Sequence, residues 1–75
     1  MFLRPPEGVS GEVIRMSNVI AFISYSGSKI LRFHLDNKTT FDWSYKDVDG
    51  INMLDEENRV TDYIEEYERK STIKL

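Results

Sequence analysis

The chain contains no cysteine, a single histidine and two prolines, and its longest apolar run is only Val19–Ile23. Without cysteine there can be no disulfide staple, thiolate zinc site, iron–sulfur cluster or cysteine nucleophile. Small secreted scaffolds usually rely on such staples, so an intracellular, cytoplasmic address is expected. A membrane-spanning helix needs roughly 18 to 20 consecutive apolar residues, and Val19–Ile23 is strand length, so no membrane association is expected. The N-terminus carries Arg4 but follows it with Pro5-Pro6-Glu7-Gly8, where an export signal would need an apolar stretch.

What is present suffices for one folded unit. The 75 residues are 40% apolar and 12% aromatic, with 13 acidic and 10 basic side chains and a formal charge of −3, outside the range of disordered tails. A domain of this size buries only about 60% of its unfolded-chain surface, leaving little stability to support deep pockets or strained catalytic geometry.

Pro5, Pro6, Gly8 and Gly11 make residues 1–10 read as an N-terminal arm, from which Phe2 and Leu3 can dock back, and residues 11–75 as a single compact domain. Val13 and Ile14 form a short extended run. Val19, Ile20, Ala21, Phe22 and Ile23 are apolar on both faces, the pattern of a central strand. Ser26-Gly27-Ser28 then marks a turn into a run where Leu31, Phe33 and Leu35 share one face, so a hairpin is predicted. After Asp36-Asn37-Lys38, the residues Thr39, Phe41, Trp43 and Tyr45 alternate with Thr40, Asp42 and Ser44 at period two. That strand has one apolar face needing a cover.

The cover is the C-terminal segment. Val60, Tyr63, Ile64 and Tyr67 fall at i, i+3, i+4 and i+7, an apolar stripe along one side of a helix of about four turns. Asp55 is the predicted N-cap, Glu56 and Glu57 suit the positive end of the dipole, and Arg69 and Lys70 suit the negative end. Glu65 and Arg69, like Glu66 and Lys70, stand four residues apart in the stabilising order. Ser44 and Asp47 resemble a capping box and Gly50 a stop, which predicts one helical turn before Ile51–Leu54. Ile73 and Leu75 alternate with polar neighbours, so residues 71–75 read either as a final strand or as a frayed end. The expected class is α+β: a small antiparallel sheet of about four strands packed against one C-terminal amphipathic helix.

Chemistry-bearing constellations are sparse. His34 falls on the face opposite Leu31, Phe33 and Leu35, with no cysteine or second histidine to complete a transition-metal site. Ser24, Ser26 or Ser28 with His34 and Asp36 or Asp42 supply the residue types of a hydrolytic triad, but no nucleophile-elbow motif accompanies them. Counting Asp47 as the first position of a calcium loop puts Gly50 at the fourth, where glycine belongs at the sixth, and Asn58 where a bidentate glutamate belongs. No phosphate-binding loop is present. Neither a catalytic set nor a cofactor is expected.

Charge is distributed unevenly. Residues 1–46 carry six basic and four acidic side chains, and residues 47–75 carry four basic and nine acidic. Asp55, Glu56, Glu57, Asp62, Glu65, Glu66 and Glu68 are therefore candidates for docking to a basic surface on a partner protein, against the plainer reading of a solvated helix face. Arg15, Lys29, Arg32 and Lys38, on or near the strands and close in sequence to Tyr25, Phe41, Trp43 and Tyr45, are the alternative candidates, for nucleic-acid contact. Against this alternative, the period-two alternation assigns Phe41, Trp43 and Tyr45 to the covered face, and the isoelectric point near 5.0 lacks a basic footprint.

Within Asn18–Thr40, the residues Ile20, Phe22, Ile23, Gly27, Lys29, Phe33, His34 and Leu35 form an apolar strand, a small polar turn and a second strand. This stretch resembles the beginning of a LytTR-type DNA-binding domain, with Ser44–Leu54 in the place of the short helix that follows there. The resemblance implies a hairpin-based DNA-binding fold and transfers no DNA-contacting residue. Taken together, the residues lead to a small non-enzymatic protein-binding module, a regulator or inhibitor of a kind bacteria or phages encode, with nucleic-acid binding as the alternative. A short sheet also has edges at which a partner strand or a second copy can pair.

Overall fold

The computed structural model describes the backbone of residues 1–73 and the side chains of residues 1–70. Its centre is an antiparallel sheet of β3 (Val19–Tyr25), β4 (Ile30–Leu35) and β5 (Thr40–Ser44), in that spatial order. Before it, β1 (Phe2–Leu3) pairs antiparallel with β2 (Ile14–Arg15), and a single 3-10 turn, Met16–Asn18, leads into β3. The helix α1 (Met53–Ile73) closes the described chain. The class is the expected α+β, with five strands in two sheets in place of about four in one. No described helix is long and apolar enough to cross a membrane.

The inner face of the sheet follows from alternation. Leu31, Phe33 and Leu35 of β4 are buried while Arg32 and His34 between them are only half-buried. Phe33 stacks on Phe22 at 5.7 Å between ring centroids and meets Trp43 at 4.6 Å, tilted by 57°. Each such side chain, removed from water, stabilises the fold by about 1.5 to 3 kcal/mol. Trp43 and Tyr45 are fully buried, as the covered-face reading requires. The indole N–H of Trp43 donates to the Glu12 carbonyl at 2.9 Å, so its one polar atom is satisfied by the strap of residues 10–12. Gly11 is required in that strap, because a Cβ there would collide with Trp43 Cδ1.

The N-terminal residues belong to this core. Leu3, Val9, Ile14 and Met16 are buried with the sheet residues, and Ser10 bridges to Ser44. To the same buried cluster α1 contributes Met53 and Val60, with Ile64 and Tyr67 packed against it. Tyr63, assigned to the same stripe by spacing, lies at its margin and is 47% exposed.

Several expectations are corrected. β3 is an edge strand and β4 the central one. The two-faced apolarity of β3 has a different cause: its register shifts between Val19 and Ala21, and Ile20 at that bulge is 69% exposed while Ile23 is 43% exposed. The N-cap of α1 is Asn52, whose Oδ1 accepts the N–H groups of Leu54 at 2.9 Å and Asp55 at 3.3 Å. Asp55 is already inside the first turn. Ser44 ends β5, and Lys46–Asn52 form turns and bends without a helical turn. The helix is 21 residues long, about six turns in place of four. It takes in residues 71–73, which removes the strand alternative there; the Lys74 and Leu75 part of that expectation lies outside the described residues.

Candidate functional site

The seven acidic candidates wrap around α1 and do not form one face. With 3.6 residues per turn, Asp55, Asp62, Glu65 and Glu66 point away from the buried stripe, and all four are exposed. Glu66 pairs with Lys70 at 3.3 Å. The carboxylates of Asp55, Asp62 and Glu65 make no hydrogen bond or ion pair among the described residues. Glu57 is half-buried beside the stripe, and its carbonyl accepts the Thr61 hydroxyl at 2.8 Å. Glu68 stands on the flank nearest β3.

Glu56 is turned inward. Its carboxylate accepts the buried Tyr45 hydroxyl at 3.1 Å and is clasped by Arg59 through Nη2 at 2.8 Å and Nε at 3.2 Å. The Arg59 hydrogen bonds hold the Glu56 carboxyl below its ordinary range. Burial, reinforced by the Glu56 charge, pushes the Tyr45 phenol well above its ordinary range. This trio ties the sheet to the helix and leaves little of Glu56 for a partner.

The four basic candidates are dispersed. Arg15 lies over the Phe2 ring at 5.7 Å on β2. Lys29 and Lys38 occupy the β3–β4 and β4–β5 turns, at opposite ends of β4, both with positive φ. Arg32 lies on the outer face, where Asp42 accepts its Nε at 2.9 Å and its Nη2 at 3.1 Å, and its guanidinium is 5.3 Å from the Tyr25 ring centroid. That ion pair holds the Asp42 carboxyl below its ordinary range.

The residues of the triad reading are likewise separated. His34 pairs with Ala21 and Thr40 on the outer face, whereas Ser24 pairs with the buried Leu31 on the inner face. Ser26 and Ser28 lie in the turn at the far end of β4, and Asp42 is engaged by Arg32. The Nε2 atom of His34 is buried without a hydrogen-bond partner. No group of three or more His, Asp or Glu among the described residues could hold a metal ion.

Sequence reasoning raised sheet edges only in general terms; the structure shows which positions of each edge are open. Leu35 N–H donates to Thr39 at 2.9 Å and Tyr45 N–H to Lys29 at 2.8 Å, so the odd-numbered residues of β4 bond to the β5 side. The even-numbered residues bond the other way, to Ala21, Ile23 and Tyr25 of β3, because an antiparallel strand alternates its bonding neighbour. The N–H and C=O of Phe22 and Ser24 therefore point out over the open edge. The same alternation directs Ser44 outward from β5, and there Ser10 meets it with two bonds of 3.1 and 2.8 Å. The β5 edge is thus covered at Ser44 alone, leaving the backbone groups of Thr40 and Asp42 to point outward beside the Asp42 charge, whereas β3 has no such neighbour at Phe22 or Ser24 among the described residues and carries no charge.

A groove of about 110 Å³ runs beside this open edge. One wall is residues 19–22 of β3; the other is Thr61, Ile64, Glu65 and Glu68 of α1. Its floor is apolar and its helix rim is carboxylate. The signal for it in the sequence is the absence of any charge or proline throughout Val19–Tyr25, the devices that normally protect an edge. No protein family model, curated protein or solved structure matches this chain.

Proposed function

We propose that this chain is a non-enzymatic docking module of the cytoplasm, which regulates or inhibits a partner protein by binding to it. The observation that carries this reading is that α1 exposes the unpaired carboxylates of Asp55, Asp62 and Glu65, of which Glu65 borders an uncharged edge strand. Carboxylates paid for in helix stability would be paired along the helix; unpaired ones exert their field on whatever approaches, speeding encounter with a basic surface and discriminating against an acidic one. The strand offers apolar contact and backbone bonding once the partner has arrived. The basic side chains Arg15, Lys29, Arg32 and Lys38 are too scattered to favour the nucleic-acid alternative.

The test is capture from the native cell with wild-type protein and with an Asp55→Lys, Asp62→Lys, Glu65→Lys variant. A protein partner whose binding weakens with salt and is lost in the variant is the expected result. Recovery of DNA or RNA that binds both forms equally would overturn the reading.

A further inference from the structure

We infer that β3 accepts an extended, cation-bearing strand from another protein, with a Lys or Arg side chain of that strand lying in the groove between β3 and α1. This rests on the docking reading and specifies its mode. Three observations on the fold lead to it.

The first is the bonding geometry. Phe22 and Ser24 present N–H and C=O groups outward from a strand with no charged residue and no proline. The bulge at Ile20 interrupts the first part of the edge, so the usable template is Ala21–Tyr25. A strand added there bonds to Phe22 and Ser24.

The second is the direction in which its side chains must point. Residues directly opposite one another on adjacent strands share a face. The incoming residue opposite Phe22 therefore projects to the inner face, where the groove opens between Phe22 and Ile64 and ends at Glu65 and Glu68. An apolar channel with a carboxylate rim suits a side chain with an aliphatic stem and a cationic head. The next incoming residue, opposite Ile23, projects to the outer face beside the exposed Ile23 and Tyr25, where an aliphatic group is favoured. The fitting segment alternates cation and aliphatic.

The third decides between a foreign strand and a second copy. Pairing β3 with its own copy across a two-fold axis would bring a second Glu65 carboxylate toward the same edge. Like charges there oppose self-pairing, and a basic segment is attracted by the same field.

The experiment uses the labelled full chain and amide hydrogen exchange. The probe is a short acetylated peptide alternating Val and Lys, compared with its Val and Glu twin and with a proline-interrupted peptide of the same charge as the first. The Val and Lys peptide is expected to slow exchange at Phe22 and Ser24 while leaving Ala21 and Ile23, already bonded to β4, unchanged. It should bind about tenfold more tightly than the proline-interrupted form, and Glu65→Lys should reverse the preference between the Lys and Glu peptides. Equal binding of the proline-interrupted peptide, or absence of binding by the Val and Lys peptide, would overturn strand addition. Perturbation confined to Asp55 and Asp62 would overturn it too while leaving the docking reading intact. Slowed exchange at Phe22 and Ser24 that grows with protein concentration in the absence of peptide would assign the edge to a second copy instead. Loss of the docking reading itself is read separately, from the Asp55, Asp62 and Glu65 variant.

Discussion

The Tyr45 hydroxyl donates to Glu56 Oε1 at 3.1 Å, on the same carboxylate that Arg59 grips from the next turn of the helix. It is a polar link between β5's exit and α1 in an interface otherwise built from Met53, Val60, Ile64 and Tyr67. Because the acceptor is charged and half-buried, Tyr45→Phe should lower stability by about 1.5 kcal/mol. Glu66→Gln, which loses only an exposed ion pair with Lys70, should change it by no more than a few tenths of a kcal/mol. Urea denaturation of the two variants measures the contrast.

The same trio shapes the response to pH. Arg59 keeps Glu56 ionised to lower pH than in the unfolded chain, and Arg32 does so for Asp42. Their contribution is complete above the ordinary carboxylate pKa of about 4 and is lost as pH falls toward the depressed folded values. For Tyr45 the shift is upward, from burial first and then the Glu56 charge. Its contribution is complete below about pH 10, the unfolded value, and is lost as pH rises above that. Urea midpoints against pH should therefore show a plateau between an acid and an alkaline limb, and Glu56→Gln should flatten the acid limb.

Lys29 and Lys38 have φ of 55° and 66°, in the left-handed region. Glycine adopts that region without steric cost, so Lys29→Gly and Lys38→Gly should each raise stability, by up to about 1 kcal/mol. Thermal unfolding of both variants reads the effect.

Asn52 is the cap of α1. Asn52→Ala removes the acceptor for Leu54 and Asp55 N–H and should cost about 1 kcal/mol. Asp55→Ala should cost less, since Asp55 acts only through the helix dipole. Comparing their unfolding midpoints distinguishes the cap from its neighbour.

Trp43→Ala should cost about 3 to 5 kcal/mol, enough to unfold a domain of this size. Gly11→Ala attacks the same contact from the other side, because its methyl group meets Trp43 Cδ1. Overpacking of this kind costs about 1 to 3 kcal/mol, and circular dichroism during urea titration reports both.

The legible parts of the fold are those set by local alternation. The period-two patterns of β4 and β5 and the stripe through Val60, Tyr63, Ile64 and Tyr67 predict buried faces directly, with Tyr63 the member of the stripe that stays exposed. β1 is only Phe2 and Leu3, and its existence depends on pairing with Arg15 and Ile14, thirteen and eleven positions away, a partnership that no local pattern signals. The rank of β3 within the sheet was hidden because exposed Ile20 and Ile23 look in sequence like residues buried on a second face. Among the candidate docking residues, the exposure of Asp55, Asp62 and Glu65 could be read from helical spacing, whereas the inward turn of Glu56 depends on Tyr45 arriving from another element. The open bonding groups of Phe22 and Ser24 follow from register, which side-chain composition does not encode.

Trp43 is the only tryptophan in the chain, and its indole is held by the Glu12 carbonyl beneath Gly11. The molecule thus carries its own fluorescent gauge at the junction of strap and sheet. Emission from that single ring registers any loosening of residues 10–12, while far-ultraviolet signal from α1 registers the coil separately, so the two events can be timed against each other without attaching a dye.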